Sequence, residues 1–134
     1  MQTKVMVTTL LLALSLAVLA LPGNAAADCS DRITLDATSN GEDFAASGRA
    51  EIRSLERGEQ QTFTVQVSVE VPDGTDLFVY ANGLPADKIT VVQGVGTLDL
   101  STGSGAFPAG ADVCTIGPVW VTDASGTTLL DGSF

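Results

Sequence analysis

The sequence predicts an all-β fold, a β-sandwich with Greek-key connections built from about seven to nine short strands. Between residues 63 and 71, apolar residues occupy every second position and polar residues fill the places between them, which is the period of a strand with one buried face. Turn-forming Gly, Pro, Asn and Asp residues recur between the short apolar stretches. Beyond residue 27 no stretch keeps a 3.6-residue period, so the pattern favours strands over helices.

The first 27 residues have the composition of a secretory signal peptide. They contain one charge, Lys4, and an apolar run at 10–21, followed by small residues up to Ala27. We expect cleavage after Ala27. A membrane anchor is the alternative, but this run is shorter than the roughly 20 residues that a spanning helix needs. A lipid anchor on Cys29 is disfavoured because acidic Asp28 stands where acylation signals have a small residue.

Residues 28–134 are predicted to form a single β-sandwich domain. This part of the chain keeps five of the six basic residues and all 16 acidic ones, a net charge of −11. Such a surface repels phosphates, so binding to nucleic acid or anionic lipid is disfavoured. We expect a secreted or periplasmic protein, of bacterial type, with no transmembrane segment after the leader is removed.

The two cysteines, Cys29 and Cys114, are predicted to form a disulfide bond, because an exported chain with an even cysteine count normally pairs them. Closing so long a loop is worth on the order of 4 kcal/mol in the chain-entropy model. A redox-active or metal-binding pair is the alternative. The wide separation and the absence of a Cys-x-x-Cys motif argue against it.

The first half of the predicted domain contains three strands. Residues 47–57 alternate small or apolar residues with charged ones, and we expect this strand to pair with the strand at 63–71 and to place its charges near Gln66 and Glu70. The sequence Pro-Asp-Gly-Thr at 72–75 predicts a tight turn, and we expect it to form a hairpin with the next strand. The other predicted elements here are a strand at 32–36, a polar loop at 37–43 and a turn at 56–60.

The second half continues the series. Residues 77–81 are apolar on both faces, and the Asn-Gly pair at 82–83 is typical of a two-residue turn. We predict further strands at 89–92, 95–100, 113–116, 119–122 and 128–134, a bend at Gly94 and Gly96, a flexible loop at 101–110 and a turn at 123–126. Short strands at such intervals indicate an immunoglobulin-like sandwich in the broad sense.

The spacing of these residues resembles that of small exported bacterial β-sandwich domains of uncharacterised function. The matching positions are Gly48/Ala50, Phe63/Val65/Val67, Pro72/Gly74, Leu77/Val79/Asn82/Gly83, Gly96/Leu98 and 119–134. All are core or turn positions, so the resemblance implies a fold and no activity. The chain is also similar, more weakly, to the neocarzinostatin-type apoproteins, which are small, acidic, exported and immunoglobulin-like. It lacks the cysteines for the two short-loop disulfides of that family.

Most common catalytic sites are excluded because the chain contains no histidine. This rules out Ser-His-Asp and Cys-His sites and histidine-bound zinc or copper. Carboxylates and Lys88 remain, and we predict no catalytic residue. Asp73 and Asp76 flank one turn, but glycosidases place their carboxylate pair across a cleft, and aspartates in turns normally accept hydrogen bonds from their own backbone.

We predict no cofactor, and calcium is the alternative. Asp73 and Asp76 with nearby carbonyls, or Asn40, Glu42 and Asp43, supply the oxygen ligands that Ca²⁺ prefers. Neither segment has the spacing of a known calcium loop.

Aromatic residues provide the best candidate binding site. If Leu77, Val79 and Ala81 point into the core, then Phe78 and Tyr80 share the opposite face, and Trp120 lies on the same side of its own strand. Exposed aromatic groups on a sheet often anchor ligands or partners. Alternatively, the loop at 101–110, with Phe107, folds over them.

The sequence therefore leads to the hypothesis of an exported, non-enzymatic binding or interaction module, with a partner protein, a polymer or a small ligand bound at the Phe78/Tyr80/Trp120 face or at a loop end. A carboxylate-dependent hydrolase and a structural envelope or matrix subunit are the alternatives.

Overall fold

A computed structural model describes residues 28–103 and 111–134. The predicted leader and Phe107 lie outside the described residues. The described chain folds into eight strands: β1 (Cys29–Ala37), β2 (Ser47–Leu55), β3 (Gln60–Ser68), β4 (Asp76–Ala81), β5 (Leu84–Thr90), β6 (Val95–Ser101), β7 (Pro118–Thr122) and β8 (Thr128–Ser133). A one-turn helix, α1 (Ser39–Glu42), and two 3₁₀ turns (Glu56–Gly58 and Val113–Thr115) connect them.

All eight strands belong to one antiparallel sheet with the order β5-β4-β7-β8-β1-β2-β3-β6. β1 pairs with β2 over residues 29–35 and with β8 at Asp36 and Ala37, so this strand joins the two halves of the sheet. The terminal strands β5 and β6 lie close together: a Cβ added at Gly96 in β6 would overlap Cγ2 of Ile89 in β5. The all-β fold is confirmed, but the sheet is nearly closed and barrel-like, so an immunoglobulin-like Greek-key sandwich is not confirmed.

The core lies inside this curved sheet and follows the alternation in the sequence. In β3 the side chains of Phe63, Val65 and Val67 are buried, whereas those of Thr62, Thr64 and Gln66 are partly exposed. Each of the other strands adds at least one buried apolar residue, which in β5 is Ile89. The alternation between residues 63 and 71 therefore identified the buried face correctly.

The expected pairing of residues 47–57 with the long strand is confirmed. β2 pairs with β3 from Ser47↔Ser68 to Leu55↔Gln60. On the outer face, Arg49 Nε donates a 2.7 Å hydrogen bond to Gln66 Oε1, as the charge pattern predicted.

The predicted hairpin at 72–75 is wrong. The turn itself forms, with Thr75 N donating to Pro72 O at 3.2 Å, but β3 pairs with β2 and β6, and β4 pairs with β5 and β7. After β3, Val69 N donates to Gly94 O, and the chain then crosses to the other half of the sheet. Alternation shows which face of a strand is buried, but it does not identify the strand's partner.

Three smaller predictions also fail. Residues 113–116 form a 3₁₀ turn rather than a strand, because the Asp112 carboxylate accepts a 3.0 Å hydrogen bond from Cys114 N and starts the turn. The loop at 37–43 contains α1, whose first turn is capped by the Thr38 hydroxyl accepting from Gly41 N at 3.1 Å. In addition, β5 begins at Leu84 rather than Ile89. The turns at 82–83 and 123–126 form where the sequence predicted them.

The predicted disulfide is confirmed. Cys29 and Cys114 are bonded, with their Cα atoms 5.8 Å apart, and the bond joins the start of β1 to the second 3₁₀ turn. Gln61 fixes the same region: its Nε2 donates to Gly58 O and Ala111 O at 3.1 and 2.9 Å, and its Oε1 accepts from Val113 N at 2.8 Å. Within the described ranges no helix has the length and apolar character needed to cross a membrane.

Candidate functional site

The single tyrosine and the single tryptophan of the chain stack on each other on the outside of the sheet. Tyr80 in β4 lies directly opposite Trp120 in β7. Their strand neighbours Val79 and Val121 are buried in the core, so successive side chains must alternate outward. The ring centroids are 5.7 Å apart and the ring planes differ by 12°. Both side chains remain partly exposed.

Phe78 shares this face. It lies two residues before Tyr80 on β4, is paired with Thr122 and is also partly exposed. The structure therefore brings the three predicted binding residues, Phe78, Tyr80 and Trp120, together on one outer surface, which we call the aromatic face. The alternative cover, the loop that contains Phe107, lies outside the described residues.

Carboxylates lie next to the aromatic pair on the side of Trp120. Asp131 in β8 is the direct cross-strand neighbour of Trp120, and Asp36 in β1 is the direct neighbour of Asp131. Both aspartates are exposed. Cβ atoms of direct cross-strand neighbours are about 4.5–5.5 Å apart, so the Asp131 carboxylate is within reach of a group that lies beside Trp120 over β8.

The basic residue beside the aromatic face is already paired. Lys88 in β5 is the neighbour of Phe78, and its Nζ lies 3.6 Å from Asp76 Oδ2. The same Asp76 accepts a 2.7 Å hydrogen bond from the Thr90 hydroxyl through Oδ1. Lys88 is thus neutralised by Asp76, and Asp36 and Asp131 have no basic cross-strand neighbour among the described residues, so the aromatic face has a negative local charge.

The opposite half of the sheet has a different outer surface. Arg32, Arg49 and Arg53 occupy consecutive outward rows of β1 and β2. Arg32 forms a 3.0 Å ion pair with Glu51, and the rows beside them in β3 and β6 hold mostly hydroxyl and amide side chains together with Asp99. Most of the positive charge of the described chain is thus on the half of the sheet that lacks the stacked aromatic pair.

The residues proposed for calcium form other contacts. Asp73 Oδ1 accepts a 2.7 Å hydrogen bond from Gln93 N, and Asp76 is paired as described above. In residues 28–103 and 111–134, no three His, Cys, Asp or Glu side chains are grouped so that they could hold a metal ion. Calcium binding at Asp73 and Asp76 stays a prediction.

A cavity of about 500 Å³ is the feature that sequence reasoning missed. It lies between the β4–β5 hairpin and the second 3₁₀ turn, and its apolar lining includes Phe63, Leu84, Ala86, Leu100, Val113 and Ile116. Leu84 is 69% exposed. No periodicity could reveal this cavity, because its walls come from four separate parts of the chain.

One carboxylate of the described chain has a pKa that is clearly displaced. Asp123 Oδ1 accepts hydrogen bonds from the Ser125 hydroxyl at 2.6 Å, from Thr127 N at 3.0 Å and from Ser125 N at 2.9 Å. These bonds, the Ser125 hydroxyl first, lower the pKa of Asp123 below its ordinary value. The residue shapes the β7–β8 turn and has no chemical partner that would indicate catalysis.

No protein-family model, curated protein sequence or solved structure matches this chain. The resemblances stated for the sequence stay predictions, and the candidate function depends on the geometry described above.

Proposed function

We propose that this protein is an exported, non-enzymatic binding module and that the aromatic face is its binding surface. The observation that carries the proposal is the stacked Tyr80–Trp120 pair, partly exposed on the outside of the sheet. Because both rings stay partly exposed, each forgoes part of the about 1.5–3 kcal/mol that full burial gives a large apolar side chain. A binding role accounts for that placement, since aromatic residues dominate the energetics of many interfaces.

The architecture supports this role. The rings stand on neighbouring strands of a hydrogen-bonded sheet, and sites on such elements are held more rigidly than sites on loops. The stack also fixes each ring relative to the other, so little side-chain entropy is lost when a partner is bound. Export is supported by the predicted leader and by the disulfide, which is a feature of oxidising compartments.

The experiment compares the retention of the purified full chain on three immobilised probes: dextran, an arginine-glycine repeat peptide and a glutamate-glycine repeat peptide. The test variant is the double substitution Tyr80→Ala/Trp120→Ala. The matched control is Thr64→Ala/Gln66→Ala, which changes two partly exposed, outward residues on β3 in the other half of the sheet. Circular dichroism checks that both variants keep the β fold.

The proposal predicts that at least one probe retains the wild type and the control and releases the Tyr80→Ala/Trp120→Ala variant. Equal retention of all three proteins would contradict it. Retention of none of them on any probe would also count against it.

A further inference from the structure

We propose that the aromatic face recognises an arginine-bearing segment of a partner protein. This inference rests on the proposed function and names the partner class for the same surface. It is drawn from the order of residues across the sheet, from the stacking of the rings and from the distribution of charge over the two halves.

The first step is the row of residues around the ring pair. Across the outer face the order is Pro85 in β5, Tyr80 in β4, Trp120 in β7, Asp131 in β8 and Asp36 in β1. One side of the indole is taken by the Tyr80 ring, with which it is stacked. Asp131 is the direct neighbour of Trp120 on the strand opposite to that of Tyr80, so a group that lies beside Trp120 over β8 meets an aromatic side chain and a carboxylate together.

The second step is the chemistry of that combination. The face of an indole carries negative electrostatic potential and attracts cations, tryptophan more strongly than the other aromatic residues. A guanidinium is planar, stacks on aromatic rings, and donates paired hydrogen bonds to a carboxylate. A single arginine side chain can therefore stack on Trp120 and donate hydrogen bonds to Asp131.

The third step is charge complementarity. Five basic residues lie in the described chain: Arg32, Arg49, Arg53, Arg57 and Lys88. The first three are on the outer rows of β1 and β2, Arg57 is in the first 3₁₀ turn, and Lys88 is paired with Asp76. No basic side chain of the described residues neighbours Asp131 or Asp36 across the strands, so a positively charged partner is attracted to this side and an anionic one is repelled.

The shape of the site favours a segment over a small ammonium compound. Free quaternary ammonium ions are bound in cages of several rings that surround the charge. Here two rings stack on each other on the outer face of a sheet, and in the described residues no further ring is stacked with them to form a cage. An extended peptide can lie along such a surface and place one side chain beside Trp120.

The test is a fluorescence titration, because Trp120 is the only tryptophan in the chain and its emission reports on this site alone. The full chain is titrated with the arginine-glycine repeat peptide and with the same peptide in which neutral citrulline replaces arginine. We expect saturable binding of the first and at least tenfold weaker binding of the second. Raising the salt concentration from about 20 to about 300 mM should weaken binding of the arginine peptide, because salt screens charge interactions over this range. Binding of the citrulline peptide should be nearly unchanged.

The variant that tests the carboxylate is Asp131→Asn, and its control is Asp99→Asn, an exposed, outward aspartate on β6. The Asp131→Asn substitution should lower the affinity for the arginine peptide about threefold to tenfold, which is the range expected for the loss of one charge-assisted contact at a partly exposed site. The Asp99→Asn variant has the same net charge as Asp131→Asn, and its affinity for the arginine peptide should stay within about twofold of that of the wild type.

The outcomes separate the two proposals. If the citrulline peptide binds as well as the arginine peptide, or if Asp131→Asn behaves like Asp99→Asn, the partner class is wrong. If dextran is retained through Tyr80 and Trp120 and the arginine peptide is not, the partner class is wrong and the binding surface stands. If no probe depends on the two rings, both proposals fail.

Discussion

At the scale of single residues, Gln61 shows how one buried polar side chain can organise a segment that has no strand of its own. Its amide makes three hydrogen bonds that hold residues 58, 111 and 113 in place. Gln61 lies in phase with Phe63 and Val65 on the inward face of β3. A polar residue at an inward position of an otherwise regular alternation was the sequence signal for this anchor.

We expect Gln61→Ala to destabilise the fold by about 2–4 kcal/mol, because it leaves Val113 N–H and two carbonyls without their partner in a mostly buried place. Urea denaturation measures the change, and Gln60→Ala, at the exposed neighbouring position, is the control. Similar losses in the two variants would show that Gln61 does not anchor the second 3₁₀ turn.

Asp123 provides a pH-dependent prediction. Its pKa is lowered in the folded state, chiefly by the Ser125 hydroxyl, so the unfolded chain takes up this proton first as the pH falls. The carboxylate therefore stabilises the fold above its ordinary pKa of 3.8, and this contribution is lost as the pH falls from that value through the lowered folded pKa. Thermal unfolding of wild type and Asp123→Asn from pH 7 to pH 2.5 should show a lower Tm for the variant at neutral pH and a shrinking difference below about pH 4. A difference that is constant across this range would contradict the assignment.

At the scale of strands, the sequence indicated which face of a strand is buried and where turns occur, but it did not indicate which strands pair with each other. The alternation in β3 and the apolar stretch of β4 identified the buried sides, and the outward position of Tyr80 and Trp120 followed directly. The hairpin between β3 and β4 failed because both edges of β3 are taken by other strands. The first half of β5 was missed because Leu84-Pro85-Ala86 has no alternation and the strand is irregular between Val79 and Tyr80 of its partner.

The approach of β5 and β6 depends on Gly96. We expect Gly96→Ala to destabilise the fold by about 1–3 kcal/mol, because the added Cβ would overlap Cγ2 of Ile89 and separate the two strands. Gly103→Ala is the control, since a Cβ there meets nothing within 4 Å. Denaturation of both variants checks the prediction, and a Gly96→Ala protein as stable as the control would mean that the strands do not approach closely.

At the scale of the whole molecule, the disulfide and the charge distribution define the behaviour of the domain. The bond spans 85 positions of the sequence, so its removal should lower the free energy of unfolding by about 4 kcal/mol through the larger entropy of the unfolded chain. Replacing both Cys29 and Cys114 with serine and repeating the denaturation tests this. A loss below about 1 kcal/mol would contradict a stabilising role and would reopen the redox alternative.

The sequence predicted the disulfide and the side of the sheet on which the aromatic residues lie. It did not predict that the carboxylates Asp131 and Asp36 would lie in one row with Trp120, because that row depends on the register of three strands. The apolar cavity beside the second 3₁₀ turn was not predicted for the same reason, since the residues that line it come together only in the folded sheet.

The central claim is that the aromatic face is the surface on which this protein binds. The most direct measurement is a map of backbone amide chemical shifts during titration of the isotope-labelled full chain with the arginine-glycine peptide and with dextran. We predict that the shifts cluster on β4, β7 and β8 around Tyr80, Trp120 and Asp131. Shifts concentrated on the outer rows of β2 and β3, or around the cavity at Leu84 and Ile116, would contradict the claim and relocate the site.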